Sequence, residues 1–168
     1  MSPLELSALL FLEQTDFLKH CLVENYQASG RGGQKRNKVK SARRCRLVML
    51  PLTAENSDQR ESALNLLYAV RKLKLRLAVH LAAHSDKSAA DSIKQYLIQE
   101  QLVFQADVHP RNPRYAPFAL LALVTLRLAG GSYKKAAESL QCSTSAFIRF
   151  LKNNKLLWET AQSVVTSH

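Results

Sequence analysis

The chain has 168 residues, with 24 Lys and Arg against 13 Asp and Glu, a formal charge of +11 and a pI near 9.9. Its 46% hydrophobic content is enough for a buried core, which excludes general disorder, and its length admits one domain or two small ones but no large multidomain enzyme. The longest apolar runs, such as residues 118–124, are too short to cross a bilayer.

In chain order, Ser2 caps a short helix over residues 3–12, with Pro3 at the first helical position, where its missing N–H costs nothing. Glu5, Glu13 and Asp16 precede the first basic residue, Lys19, the reverse of a secretory or organellar presequence, so a cytoplasmic location is expected. Residues 21–27 read as a strand, and residues 42–50 as another with Cys45, Leu47 and Met49 on one face. Pro51 ends it, leaving little room for a further strand. Asn56 and Gln59 then form a capping pair opening a helix of roughly 25 residues. Its apolar positions Leu64, Leu67, Val70 (or Leu73) and Leu77 recur at helical spacing. Ser88 with Asp91 caps another helix, to about residue 101.

Pro110, Pro113 and Pro117 interrupt regular structure over residues 107–117 and suggest a boundary, with 1–106 as one domain and a helical domain over 108–168 that builds its own core. Residues 118–129 form an apolar helix stopped by Gly130 and Gly131. Ser132 caps residues 133–141, Ser143 caps 144–152, and a last helix covers about 155–165. Ala136, Ala137, Leu140, Cys142, Phe147 and Phe150 have the apolar spacing of a helix-turn-helix, with Gln141 in place of the usual turn glycine. That pattern is common as plain helix packing, which is the favoured reading over groove binding through Ser143, Thr144, Ser145 and Arg149. The fold class is therefore α+β.

Little suggests metal or nucleophilic chemistry. His80 and His84 stand at i, i+4, but Leu81 replaces the glutamate of a zincin and no third ligand is evident. Cys21, Cys45 and Cys142 are odd in number and far apart, which speaks against a disulfide framework or a zinc knuckle and leaves them as small apolar groups. No Ser–His–Asp signature or carboxylate pair stands out.

The charge is the strongest signal. Residues 31–46 hold Arg31, Lys35, Arg36, Lys38, Lys40, Arg43, Arg44 and Arg46, and no acid lies between Glu24 and Glu55. Like charges so crowded repel unless phosphates neutralise them, so the expected partner is a polyanion. A second cluster, Arg71, Lys72, Lys74 and Arg76, lies on the long helix and fits either a binding stripe or a solubilising one. Gly30, Gly32 and Gly33 fall inside the basic block, where the backbone must turn sharply or approach a ligand closely.

The run Ser29, Gly30, Gly32, Gly33, Gln34, Asn37, Lys38 and Ser41, read as S-G-x-G-G-Q-x-x-N-K-x-x-S, resembles the catalytic domain of class I peptide chain release factors and their codon-independent ribosome-rescue relatives. The resemblance covers about residues 20–80, and the C-terminal half is weakly similar to the helical region of release-factor-like proteins. It implies a small antiparallel sheet with a long packing helix, followed by the all-α helix-turn-helix-like unit. It also implies ribosome-dependent hydrolysis of peptidyl-tRNA, with no cofactor and no metal. Gly32, Gly33 and Gln34 would be catalytic; Arg31, Lys35, Arg36, Asn37, Lys38, Lys40, Arg43 and Arg44 would hold ribosomal RNA. The partners so implied are rRNA and peptidyl-tRNA, not a membrane, and the chain would be a monomer off the ribosome. With no room for a codon-recognition domain, stop-codon reading is not expected. The alternative is a non-catalytic RNA- or ribosome-binding protein that keeps the motif as a relic.

Overall fold

The computed structural model describes residues 1–26 and 41–166. Among them are eight α-helices and a small antiparallel sheet, so the fold is mixed α+β and mostly helical. Helix α1 (Pro3–Ala8) opens with a full capping box, Ser2 Oγ accepting from the Glu5 N–H at 3.3 Å and Glu5 Oε2 accepting from the Ser2 N–H at 2.6 Å. The chain then tightens into a 3-10 turn (Leu9–Phe11) rather than continuing the helix to residue 12. A short helix α2 (Gln14–Leu18), too brief to show a period, follows and buries Phe17.

Strand β1 (Cys21–Tyr26) pairs antiparallel with β2 (Ala42–Leu47). Strand β2 stops before the expected Met49, because the Leu47 N–H bonds to the Leu52 carbonyl at 2.9 Å and turns the chain back. The return forms β3 (Thr53–Asn56), paired with β2 through Arg43↔Asn56, Arg44↔Glu55, Cys45↔Ala54 and Arg46↔Thr53. This corrects two expectations. The hairpin is completed rather than truncated, and Asn56 ends a strand instead of capping a helix.

Helix α3 (Ser62–His84) starts later than its expected cap. Its buried stripe begins with Asn65, Ala69, Val70 and Leu73, whereas Leu64 is 36% exposed. Helix α4 (Lys87–Gln99) is capped by Asp86, whose Oδ1 accepts from the Ala89 N–H at 2.7 Å, and not by Ser88. Helix α5 (Tyr115–Leu128) includes Pro117 in its first turn, where a missing N–H is tolerated, so it begins three residues earlier than expected. Gly130 and Gly131 close it with φ of 63° and 75°, their N–H groups bonding to Arg127 and Leu126 carbonyls at 3.0 Å each. Helices α6 (Tyr133–Ser139), α7 (Thr144–Lys152) and α8 (Lys155–Thr166) complete the chain, with Ser132 and Ser143 as caps of α6 and α7.

The chain packs as two compact units, Leu12–Arg76 and Met1–Phe11 together with Leu77–His168. The division falls within α3 and not at residue 107. In the first unit, Phe17, Cys45, Leu47, Ala54 and Leu73 form the core. In the second, α5 is buried over Tyr115–Leu126, apolar on all sides, and packs against α4, α6 and α8. Phe104, ahead of the prolines, meets Phe118, Phe147 and Phe150 at ring distances of 6.4, 6.1 and 5.0 Å. Residues before 107 therefore belong to the same core as those after it. An isolated fragment of residues 108–168 should show no cooperative thermal transition by circular dichroism, while the whole chain does. It lacks Ile93 and Leu97 of α4, each worth about 1.5–3 kcal/mol of burial. Sharp unfolding of the fragment would show that α5 can be satisfied without them.

Candidate nucleic-acid interface

The candidate interface is built outward from the β1–β2 ladder. Its last registered pair is Tyr26↔Ala42, so residues 27–40 join two strand ends held side by side. Arg31, Gly32, Gly33, Gln34, Lys35, Arg36, Asn37, Lys38 and Lys40 lie outside the described residues, as do Ser29 and Gly30. Of the basic block, Arg43, Arg44 and Arg46 are described.

Arg44 sits in a cross-strand row with Glu24 and Glu55. Its Nη2 and Nε lie 3.0 and 3.1 Å from Glu55 Oε2, its Nη1 lies 3.7 Å from Glu24 Oε2, and its guanidinium stacks 4.9 Å from the Tyr26 ring centre. The Glu55 carboxylate, with Glu24 beyond it, holds the guanidinium firmly charged. Arg44 is thus engaged by carboxylates across the sheet, and its pairs are exposed ones of small energetic weight. Arg43 has its Nε buried with no hydrogen-bond acceptor among the described residues. Arg46 is exposed.

Ser41, which follows the 27–40 segment, is held by a residue that the sequence pattern did not single out. Asn65, fully buried in the first turn of α3, donates from Nδ2 to the Ser41 and Gln59 carbonyls at 2.9 Å each. Its Oδ1 accepts from Asn56 Nδ2 at 2.8 Å and from the Gln59 N–H at 3.0 Å. Both donors and both acceptor sites of the amide are used, which offsets the cost of burying it. Lys72 extends the network, donating to Asn56 Oδ1 at 2.6 Å and to the Glu55 carbonyl at 3.2 Å. The available signal was an amide residue on the buried face near the start of a helix, a place such residues occupy only for a hydrogen-bonding reason.

The second basic cluster makes contacts within the fold. Lys72 and Arg76 cover carbonyls of β3, Arg76 through Thr53. Lys74 is 8% exposed, donates to the Leu12 carbonyl and lies 5.0 Å from the Phe17 ring centre; burial lowers its pKa. Arg71 rests over Tyr68 at 5.7 Å.

His80 and His84 stack at 4.1 Å, and His84 Nδ1 lies 2.9 Å from the His80 carbonyl. No group of three metal-ligating side chains occurs among the described residues. Burial pushes the Cys21 and Cys45 thiols up to about 11, so both stay protonated and unreactive at neutral pH. Among the described residues, no helix is long and apolar enough to cross a membrane.

The helix-turn-helix spacing does correspond to packed helices: Ala136, Ala137, Phe147 and Phe150 are buried, and Gln141 adopts φ 54° in the turn. The Gln141 and Cys142 N–H groups bond to Glu138 and Ala137 carbonyls at 3.1 and 3.0 Å, so glutamine fills the usual glycine position despite its steric cost. A further feature escaped the sequence pattern. Residues 108–168 carry eight Lys and Arg against Glu138 and Glu159, a second concentration of positive charge. No family model, no curated protein and no solved structure matches this chain.

Proposed function

We propose that the chain is a ribosome-dependent peptidyl-tRNA hydrolase of the release-factor type, acting without codon recognition on stalled ribosomes in the cytoplasm. The observation that carries this reading is the S-G-x-G-G-Q-x-x-N-K-x-x-S run inserted between two strands paired up to Tyr26↔Ala42. The completed β2–β3 hairpin and the long α3 after it support a release-factor-type domain.

In this reading the ester linking peptide to tRNA is held by the ribosome, and the chain contributes a small, positioned set of donors. Gly32 and Gly33 carry no side chain, so backbone reaches the ester where any bulk would collide with RNA. The Gln34 N–H donates to the oxygen that gains charge as the ester is attacked. The Gln34 amide orients one water and leaves no room for larger nucleophiles, a positional role that needs no shifted pKa. Arg31, Lys35, Arg36, Lys38 and Lys40 bind phosphates around the site, with Asn37 beside them, fixing register rather than reading sequence.

The test is single-turnover release of peptide from peptidyl-tRNA on ribosomes with an empty decoding site. Release well above the ribosome-only background is expected. Tight binding with background release would discard the hydrolase and leave an RNA-binding protein with a relic motif.

A further inference from the structure

Five of the eight cations of this second concentration lie on α6, α7 and α8. Three elements meet at Trp158. Tyr133, at the start of α6, stacks on it with ring centres 6.1 Å apart and planes 18° apart. Lys152, at the end of α7, holds its Nζ 5.0 Å from the Trp158 ring centre. Lys155 opens α8 itself, with its side chain 89% exposed and 3.8 Å from Glu159. Lys134 follows Tyr133 directly, and Arg149 lies one turn before Lys152 on the same outward side of α7; both are exposed and have no acidic partner among the described residues.

The opposite side of α7 is taken up by packing, since Phe147, Phe150 and Leu151 are buried. The fully exposed positions of α7 are Ser145, Arg149 and Lys152, the two cations lying in its last turn, where they also complement the helix dipole. The Trp158 indole attracts the Lys152 ammonium and itself stacks on Tyr133, which restrains the cation before any ligand arrives. Between its caps α7 has no Asn or Gln, the residues that read adenine edges, which suits backbone contact rather than sequence reading.

We propose that this face of α6, α7 and α8 docks the phosphate backbone of double-stranded RNA through Lys134, Arg149, Lys152 and Lys155. The choice of RNA rests on the function proposed above; the phosphate-binding surface itself does not. Glu138 and Glu159 are the acids of these helices, and Glu159 is already paired with Lys155. A-form RNA closes its major groove to a helix, so the protein meets phosphates and sugar edges across the shallow groove.

The experiment is a fluorescence-anisotropy titration of the full chain with a labelled, long-stemmed RNA hairpin over a range of salt. The variant Lys134→Ala/Arg149→Ala/Lys152→Ala is compared with Arg149→Lys/Lys152→Arg, which keeps the charge, and with Lys35→Ala/Arg36→Ala/Lys38→Ala. The alanine variant of the helical face should bind at least tenfold more weakly, with a salt slope smaller by about two units, at roughly 0.7–0.9 for each phosphate left unneutralised. The charge-keeping variant should bind like the wild type. An unchanged slope in the helical-face alanine variant overturns the proposal, as does tighter binding of the matching DNA duplex than of the RNA. In the release assay the same variant should reach the wild-type rate at saturation but require more protein. A wild type that releases nothing removes the hydrolase and leaves the titration to decide the docking surface by itself.

Discussion

Gly33→Ala should lower the single-turnover rate of peptide release by on the order of a hundredfold, with ribosome binding unchanged. The effect is large because the proposed chemistry relies on placement. No metal, nucleophile or tuned base of this chain is invoked to compensate for a reacting geometry displaced by one methyl group. Binding is spared because the cations on either side are untouched. Gln34→Ala should lose less, since it keeps the backbone N–H assigned to the charged oxygen and removes only the amide that orients water. It should also admit other nucleophiles, read as peptide transfer to added hydroxylamine. The measurement is release against protein concentration, which separates rate from affinity. A Gly33→Ala protein releasing at the wild-type rate would remove the segment from the reaction.

Asn65→Leu should cost about 3–5 kcal/mol of stability, because the leucine removes the partners of the half-buried Ser41 and Gln59 carbonyls and Gln59 N–H and of the buried Asn56 Nδ2, at roughly 1–3 kcal/mol for each that water cannot reach. Global stabilities are only about 5–15 kcal/mol, so this is a large part of the total. The expected fall in Tm is on the order of 10 °C, from about 2–4 °C per kcal/mol in a chain of this size. Leu64→Ala, one residue away, is the control. Leu64 is 36% exposed and lies off the buried stripe, so its loss should move Tm far less. Equal shifts for the two variants in thermal unfolding would mean that the network around Asn65 is replaceable by water.

Much of the helical unit was legible because its signals are local. Ser2, Ser132 and Ser143 cap the helices they precede, and the Gly130–Gly131 pair stops α5 as its φ values require. Strand β3 was not legible, because Asn56 and Gln59 have the spacing of a capping pair. What decides the matter is the pairing with β2 and the amide of Asn65, neither of which shows in the segment itself. The domain boundary was misplaced for a similar reason. Prolines mark where regular structure pauses, but Phe104 and α4 carry the core across them. The motif of Gly32, Gly33 and Gln34 was legible as a resemblance and lies outside the described residues. Asn65 was missed because hydrophobic periodicity counts only apolar side chains.

The assembly of one unit from Met1–Phe11 and Leu77–His168 has a consequence for how the protein is made. Leu6, Leu9 and Leu10 leave the ribosome early, yet the helices that bury them, α4 and α5, are synthesised only after the whole Leu12–Arg76 unit. At about 5–20 residues per second the delay is on the order of ten seconds. During that time the nascent chain presents an apolar N-terminal segment with nowhere native to go, while the unit behind it can already close. Vectorial synthesis thus completes the sheet-bearing unit before α4 and α5 exist, and residues 1–11 await the helices that bury them.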